Sequence, residues 1–316
     1  MEAAKKQAKN VKVLEFKGYF QKTIKRWLEK QKETIKCVAF ERNFVTHETF
    51  LNFKEQFFQN QKMLGVNFNT LRVQKTTFEI ERLKVATQIT DLVFTLLLKK
   101  IRIGMTEKEV KGLIIALIYE NGGDRLAFEP IVVSGVRCSL PHGEASTKKI
   151  VLGDLVTCDF GVSYKGYCSD LTRTFVVSGG EKETLLELIK IHKIVLDAQQ
   201  TAIAKIRAGV RISLIDETAR SVISSAGYGA YFSHSTGHGL GIDVHEMPVV
   251  NSRNIKNGET ASDEILLEGM VITVEPGIYL PGIGGVRIED DILVKEDGYE
   301  VLTKSSRSLF VKNEKT

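Results

Sequence analysis

The chain has 316 residues, 43% hydrophobic and 26% charged, which allows two domains, one with a substantial core. Its net charge of +5 is spread over lysines interspersed with glutamates, with no basic stripe and no nucleic-acid motif, so no nucleic-acid partner is expected. The longest apolar run, residues 92–98, is broken by Thr95 and too short for a bilayer. The first ten residues hold no apolar leader core, and Cys37, Cys138, Cys158 and Cys168 show no CxxC spacing; a reduced, cytoplasmic, membrane-free setting is expected.

Residues 1–75 read as a small α/β domain. Residues 11–16 and 34–40 have strand character. Residues 19–32 and 46–59 have helix character, the second with Phe50, Leu51, Phe53, Phe57 and Phe58 as its apolar positions. Residues 1–9 read as a helix with no strand before it, so this domain is expected to be a shortened one.

Residues 76–316 form the second domain. Thr76 and Glu79 make a capping box that starts a long helix ending near Lys100. Thr106 and Glu109 make another, and Asn121-Gly122-Gly123 stops that helix. A strand at 130–135 leads to the turn Leu140-Pro141-His142-Gly143. Helices follow at 181–207 and 213–226. A short polar tail is expected from Arg307.

Two hairpins stand out between these elements. Residues 155–161 run into a turn read at Tyr164-Lys165 and return through 167–172, which sets facing positions to add to 329 and places Asp159 opposite Asp170. Residues 271–274 and 286–288 flank a loop centred on Gly282. Facing positions there add to 564, which places Glu275 opposite Glu289. Like charges so placed destabilise a sheet unless a cation lies between them. The segments from Gly153 and Gly269 also match at a constant offset of 116, with acid on acid at Asp159 and Glu275. That suggests two halves related by internal pseudo-two-fold symmetry, each giving one acidic hairpin to a common centre. Cys158 and Cys168, beside the first hairpin, read as packing residues rather than ligands.

Three of the six histidines, His234, His238 and His245, fall within residues 233–248, and His142 stands in a Pro-His-Gly turn. Glycines at 237, 239 and 241 let the backbone approach closely around His238, as a ligand imidazole needs. Four carboxylates and one imidazole suit two divalent ions about 3.5 Å apart, with a shared water turned into hydroxide near neutral pH. Hard oxygen donors with one histidine favour Mn²⁺, with Co²⁺, Zn²⁺ or Fe²⁺ possible. The reaction class is metal-assisted hydrolysis of an amide, through a metal-bridging hydroxide.

These residues resemble the metallopeptidases of the pita-bread fold: Xaa-Pro aminopeptidases, prolidases and methionine aminopeptidases. The resemblance spans about residues 76–310. It implies an α/β (α+β) architecture with a pita-bread catalytic domain behind an α/β N-terminal domain. It also implies Asp159, Asp170, His238, Glu275 and Glu289 as metal ligands, Asp170 and Glu289 bridging both ions, and Glu275 as general base. By the same resemblance His245 steadies the tetrahedral intermediate, His142 lies near the leaving group and His234 lines the pocket beyond the scissile bond. Arg287 orients the acidic ligands. The spacing of 14 between the two glutamates, and the stretch from His234 to Glu246, resemble the proline-specific branch rather than the methionine aminopeptidases. The first expectation is therefore an aminopeptidase that removes the residue before proline, with an Xaa-Pro dipeptidase (prolidase) as the alternative. A methionine aminopeptidase, a metal-free hydrolase of the creatinase type and a non-catalytic binding module are disfavoured by the full ligand set and its spacing. The family often forms homodimers.

Overall fold

A computed structural model describes Val13 and residues 19–30, 35–177, 183–252 and 264–310. The helix expected at 1–9, and all but Val13 of the strand expected at 11–16, lie outside the described residues. The chain divides into two compact units between Phe68 and Asn69.

The first unit holds helix α1 (Phe20–Glu29), strand β1 (Cys37–Glu41), helix α2 (His47–Phe57) and strand β2 (Lys62–Val66). Strands β1 and β2 pair in parallel, Cys37 facing Lys62, so α2 serves as the crossover that a parallel pair requires. Thr46 caps α2 by accepting from Thr49 N at 3.2 Å. Strand β2 has no counterpart in the sequence reading, because Lys62 and Gly65 dilute its apolar pattern.

In the second unit each half contributes two helices and a set of antiparallel strands. The first half has α3 (Thr77–Lys100) and α4 (Glu107–Glu120), both opened by complete capping boxes. The second has α5 (Glu183–Ile203) and α6 (Ile212–Ser225). Strands β3 (Arg125–Leu126) to β8 (Leu171–Val176) include β4 (Ile131–Ser134), β5 (Leu155–Phe160), β6 (Val162–Tyr164) and β7 (Tyr167–Cys168). Strands β9 (Gly237–Gly239) and β10 (Glu246–Val250) precede β11 (Val271–Val274), β12 (Gly277–Leu280), β13 (Gly284–Arg287), β14 (Asp290–Lys295) and β15 (Gly298–Val301). The order β4-β5-β8 in one sheet is matched by β9-β11-β14 in the other, and β6-β7 by β12-β13. Gly153 and Gly269, 116 apart, both take φ near +80° at the entry to their hairpins. This is the pita-bread arrangement expected from the sequence.

Strand parity decides which side of each hairpin meets its helices. Val156, Cys158 and Phe160 are buried in one core with Leu97, Ile114 and Leu117 of α3 and α4. Ile272, Val274, Ile278 and Ile288 are buried in the other with Ile191 and Val195 of α5 and Ile215 of α6. Each such side chain removed from water stabilises the fold by about 1.5–3 kcal/mol. The alternate positions, Asp159, Glu275, Arg287 and Glu289 among them, are thereby turned to the opposite face.

The register of the second hairpin is as read from sequence. Gly277 faces Arg287 and Val274 faces Asp290, with positions adding to 564 on both sides of the glutamates. The first hairpin differs. Tyr164 faces Tyr167 and Asp159 faces Thr172, so positions add to 331 and the turn is Lys165-Gly166. Both turn residues have positive φ, 46° and 84°, the signature of a tight turn that suits strand twist. Asp159 and Asp170 are therefore diagonal neighbours, not facing ones. A slip of two leaves every side chain on its own face, so both carboxylates stay together. The tail also departs from expectation: Leu309 is buried, and its carbonyl accepts from Val176 N at 2.8 Å.

Candidate metal centre

The nine residues singled out from the sequence line one cavity of about 500 Å³. They are Asp159, Asp170, His238, Glu275 and Glu289, with His142, His234, His245 and Arg287. Asp159 is the penultimate residue of β5, Asp170 lies between β7 and β8, His238 is central in β9, and Glu275 and Glu289 flank the β12-β13 hairpin at its base.

Local contacts fix each group. His238 shares its Nδ1 hydrogen with the Gly239 carbonyl at 3.0 Å, which leaves the Nε2 lone pair facing the carboxylates. The ring can sit there because its neighbours have no side chain: a Cβ at Gly237 would fall 2.0 Å from Thr273 O, and one at Gly239 2.1 Å from Met247 O. Glu289 Oε2 accepts from Thr172 Oγ1 at 2.6 Å. Arg287 reaches four groups. Its Nη2 donates to Asp159 Oδ2 at 2.6 Å, Nε to Thr172 Oγ1 at 3.0 Å, and Nη1 to Tyr279 Oη at 2.9 Å and Pro141 O at 3.2 Å.

These groups fit a divalent cation and do not fit one another without it. Asp170, His238 and Glu289 each offer a donor atom, and the three atoms lie within 4.8 Å of one another. His238 Nε2 is 3.4 Å from Glu275 Oε1 and 3.7 Å from Asp170 Oδ2, spacings suited to two ligands of one ion. Burial holds the His238 imidazole down at about 4, so it is a neutral donor at pH 7 and cannot supply the missing positive charge. Asp159 Oδ1 and Asp170 Oδ1 are buried without a hydrogen-bond partner. Burial, then the charge of Glu289, pushes Asp170 well above the carboxylate range; burial, then Glu275, does the same to Glu289. Burial takes Glu275 up to about 8, against the pull of Arg287. Such a cluster of carboxylates in low dielectric stays ionised when a cation is present.

The histidines divide by environment. His234 holds its Nδ1 hydrogen toward the Ser235 carbonyl at 2.8 Å and meets Tyr279 Oη through Nε2, also at 2.8 Å. Burial, then Arg287, depresses it to about 4. Arg287, Tyr279 and His234 thus form one hydrogen-bonded row. His245 stands edge-on to His238 with ring centroids 4.3 Å apart, and His142 lies at the exposed rim.

Sequence reading missed Tyr279 and Thr172. Tyr279 shares odd parity with Arg287 on the facing strand, and glycines at 277 and 285 stand across from these bulky side chains; that pattern was available. The thiols add nothing to the site: Cys158 is buried in the core, and Cys168 donates to Ile242 O at 3.3 Å.

Comparison with known proteins places this geometry in context. Residues 81–296 match the model of metallopeptidase family M24. An Xaa-Pro dipeptidase of Pyrococcus furiosus is 42% identical over 260 residues, 82% of this chain and 71% of its own length. The crystal structure of an X-Pro aminopeptidase from Thermotoga maritima superposes with a TM-score of 0.88 at 39% identity, covering 98% of this chain and 85% of that one. An Xaa-Pro dipeptidase from Bacillus anthracis gives 0.89 at 40%, covering 98% and 84%. With both acidic hairpins and the imidazole between them inside the matched span, the chain belongs to metallopeptidase family M24.

Proposed function

We propose that this chain is a two-metal peptidase that hydrolyses the bond preceding proline, with Xaa-Pro dipeptides as its substrates. The observation that carries the reading is the set of three buried carboxylates, the half-buried Glu275 and one neutral imidazole on a single cavity, uncompensated by any cation of the chain except Arg287 among the described residues. Asp159, Asp170, His238, Glu275 and Glu289 would hold the ions, with Mn²⁺ the best match to this donor set. Bound there, divalent ions supply a water of lowered pKa and a Lewis acid for the scissile carbonyl.

The chain's own groups do the rest. Glu275 accepts the proton of the attacking water and passes it toward the leaving nitrogen. His245 and His142 face the same cavity and donate to oxygen as charge develops on it. His234 has both ring nitrogens engaged, so it presents a ring edge. With Phe128, Ile131, Met247 and Val249 also lining the cavity, that edge suits an apolar ring such as proline. Arg287 keeps Asp159 in place by a buried charged hydrogen bond.

Dipeptidase names among the similar proteins support the dipeptide reading. A second reading, the aminopeptidase, has one observation in its favour. A dipeptide brings a free carboxylate, and Arg287, the one lysine or arginine lining the cavity among the described residues, is already committed to Asp159 and Tyr279. Ala-Pro and Ala-Pro-Ala, assayed in parallel with Mn²⁺ and again after chelation, separate the two. Cleavage of the dipeptide alone supports the dipeptidase. Cleavage of both moves the assignment to the aminopeptidase, and metal-independent or absent turnover removes both.

A further inference from the structure

Two carboxylates outside the metal centre make the same unusual set of contacts. Glu107, the first residue of α4, is fully buried. Its Oε1 accepts from Ser134 N at 2.7 Å and Ser134 Oγ at 3.0 Å. Its Oε2 accepts from Ser146 N at 2.9 Å and Ser146 Oγ at 2.6 Å. Arg137 Nε approaches both oxygens at 3.2 and 3.0 Å, and Arg137 Nη2 donates onward to Glu144 O at 2.6 Å.

Asp216, within α6, is also fully buried. Its Oδ1 accepts from Thr236 N at 3.1 Å and Thr236 Oγ1 at 2.6 Å. Its Oδ2 accepts from Ser252 N at 3.0 Å and from Ser252 Oγ. Arg220 grips both oxygens at 2.7 and 3.0 Å, and its Nη2 donates onward to His234 O at 2.9 Å.

The two sets share their acceptor chemistry. One buried carboxylate on the second helix of each half gives each oxygen to the amide and hydroxyl of one Ser or Thr. An arginine closes the group, Arg137 from the tied segment and Arg220 from the helix, and donates onward to a backbone carbonyl. The two residues so tied are the two ends of one segment, a loop in the first half and the β9-β10 hairpin in the second. Residues 134–146 carry His142, and residues 236–252 carry His238 and His245, with His234 just before the first tie. Thr236 also accepts from Glu275 N at 2.7 Å, so the second tie extends to the carboxylate named as base.

We propose that Glu107 and Asp216 are positioning residues, each fixing both ends of one histidine-bearing segment against its own helix. Neither touches the reacting atoms. Each sets where the imidazoles stand relative to the carboxylate hairpins, and it does so with hydrogen bonds to a charged acceptor, which are stronger than neutral ones. The pair works as one device used twice, once per half. The kinetic part of this inference rests on the proposed peptidase activity; the structural part does not.

Glu107→Gln and Asp216→Asn test it, because an amide keeps one acceptor and turns a donor toward the other tied residue, releasing one loop end without removing volume. In the metal-free full chain, the C2–H resonances of the six histidines are read by NMR. Glu107→Gln should shift His142 alone. Asp216→Asn should shift His234, His238 and His245 and leave His142, His47 and His192 in place. With Mn²⁺ restored, kcat/KM on Ala-Pro should fall about 10- to 100-fold in each, in kcat more than KM for Glu107→Gln, as expected when catalytic groups are displaced by about an ångström. Asp216→Asn should also weaken metal retention, because His238 lies in the hairpin it ties. Shifts spread over all six histidines, or none, overturn the assignment, as does unchanged kcat/KM. If Asp216→Asn fails to fold, Ser252→Ala, which deletes one hydroxyl of the same tie, decides by the same resonances. If the unmodified chain cleaves no Xaa-Pro peptide, the peptidase reading fails, and the loop-specific resonances still decide this one.

Discussion

The two acidic hairpins carry matching carboxylates on different frames. In the first, a two-residue turn at Lys165-Gly166 sets Asp159 across from Thr172, so its aspartates are diagonal. In the second, a loop through Gly282 keeps one register on both sides of Glu275 and Glu289. The pairing is not common to the two; the face is. Side-chain alternation puts each acid opposite its own core, and a shift of two residues costs nothing in that respect. The longer glutamates and shorter aspartates then meet at one cavity.

Substitutions at matched positions probe this comparison. The largest effect is expected from Glu275→Gln, which should lower kcat on Ala-Pro by about 10²–10⁴-fold even at saturating Mn²⁺, the usual worth of a positioned base. Asp159→Asn, its counterpart 116 residues earlier, should instead lose metal, and excess Mn²⁺ should restore part of its rate. Equal losses in both, insensitive to added metal, would show that the hairpins do not divide the work.

Gly161 and Gly277 are also counterparts. A Cβ at Gly161 would lie 1.9 Å from Ser169 O, a backbone atom, whereas one at Gly277 meets the Tyr279 hydroxyl at 2.5 Å, a side chain that can turn away. Gly161→Ala should therefore cost about 3 kcal/mol in urea unfolding, and Gly277→Ala about 1 kcal/mol. The second should lower activity more than stability, because it moves Tyr279 off Arg287 and His234. The reverse ranking in stability would refute the equivalence drawn between them.

Chelation tests the hairpins together. At about 100 times its Kd a bound cation adds about 2.7 kcal/mol, so removing it should lower the melting temperature by about 5–10 °C. Asp170→Asn should recover part of that loss in the chelated protein by relieving repulsion with Glu289. A melting temperature indifferent to chelator would sink the account of uncompensated charge. The smallest effect belongs to Cys168→Ser. The serine hydroxyl can keep the donor to Ile242 O, and activity should stay within about twofold; a large loss would give the thiol a role in the site.

Much of this was legible in the sequence because it is local. Capping boxes at Thr76 and Thr106 lie within one turn, and Glu275, Arg287 and Glu289 share a face by parity alone. The first turn was misplaced by one residue because Lys165 is an unusual occupant of positive φ, and glycine's preference had to be read at the second turn position instead. Tyr279 was missed although parity marks it. The ties at Glu107 and Asp216 span up to 39 residues, and nothing in a helix pattern says which loop ends a buried carboxylate will find. Their serines and threonine are too common in sequence to mark a long-range contact.

The tip of the second hairpin, Pro281 to Ile283, is exposed, while its base holds the carboxylates. Insertions and deletions in a lineage are therefore not neutral along this ribbon. Extra residues at the tip lengthen a surface loop and leave every carboxylate on its face. One residue gained between Val274 and Gly277 would turn Gly277, Tyr279, Arg287 and Glu289 toward the helices, or force a bulge to undo it. Length is thus free to drift at one end of the ribbon, while at the other it is held by the period of the β-strand itself.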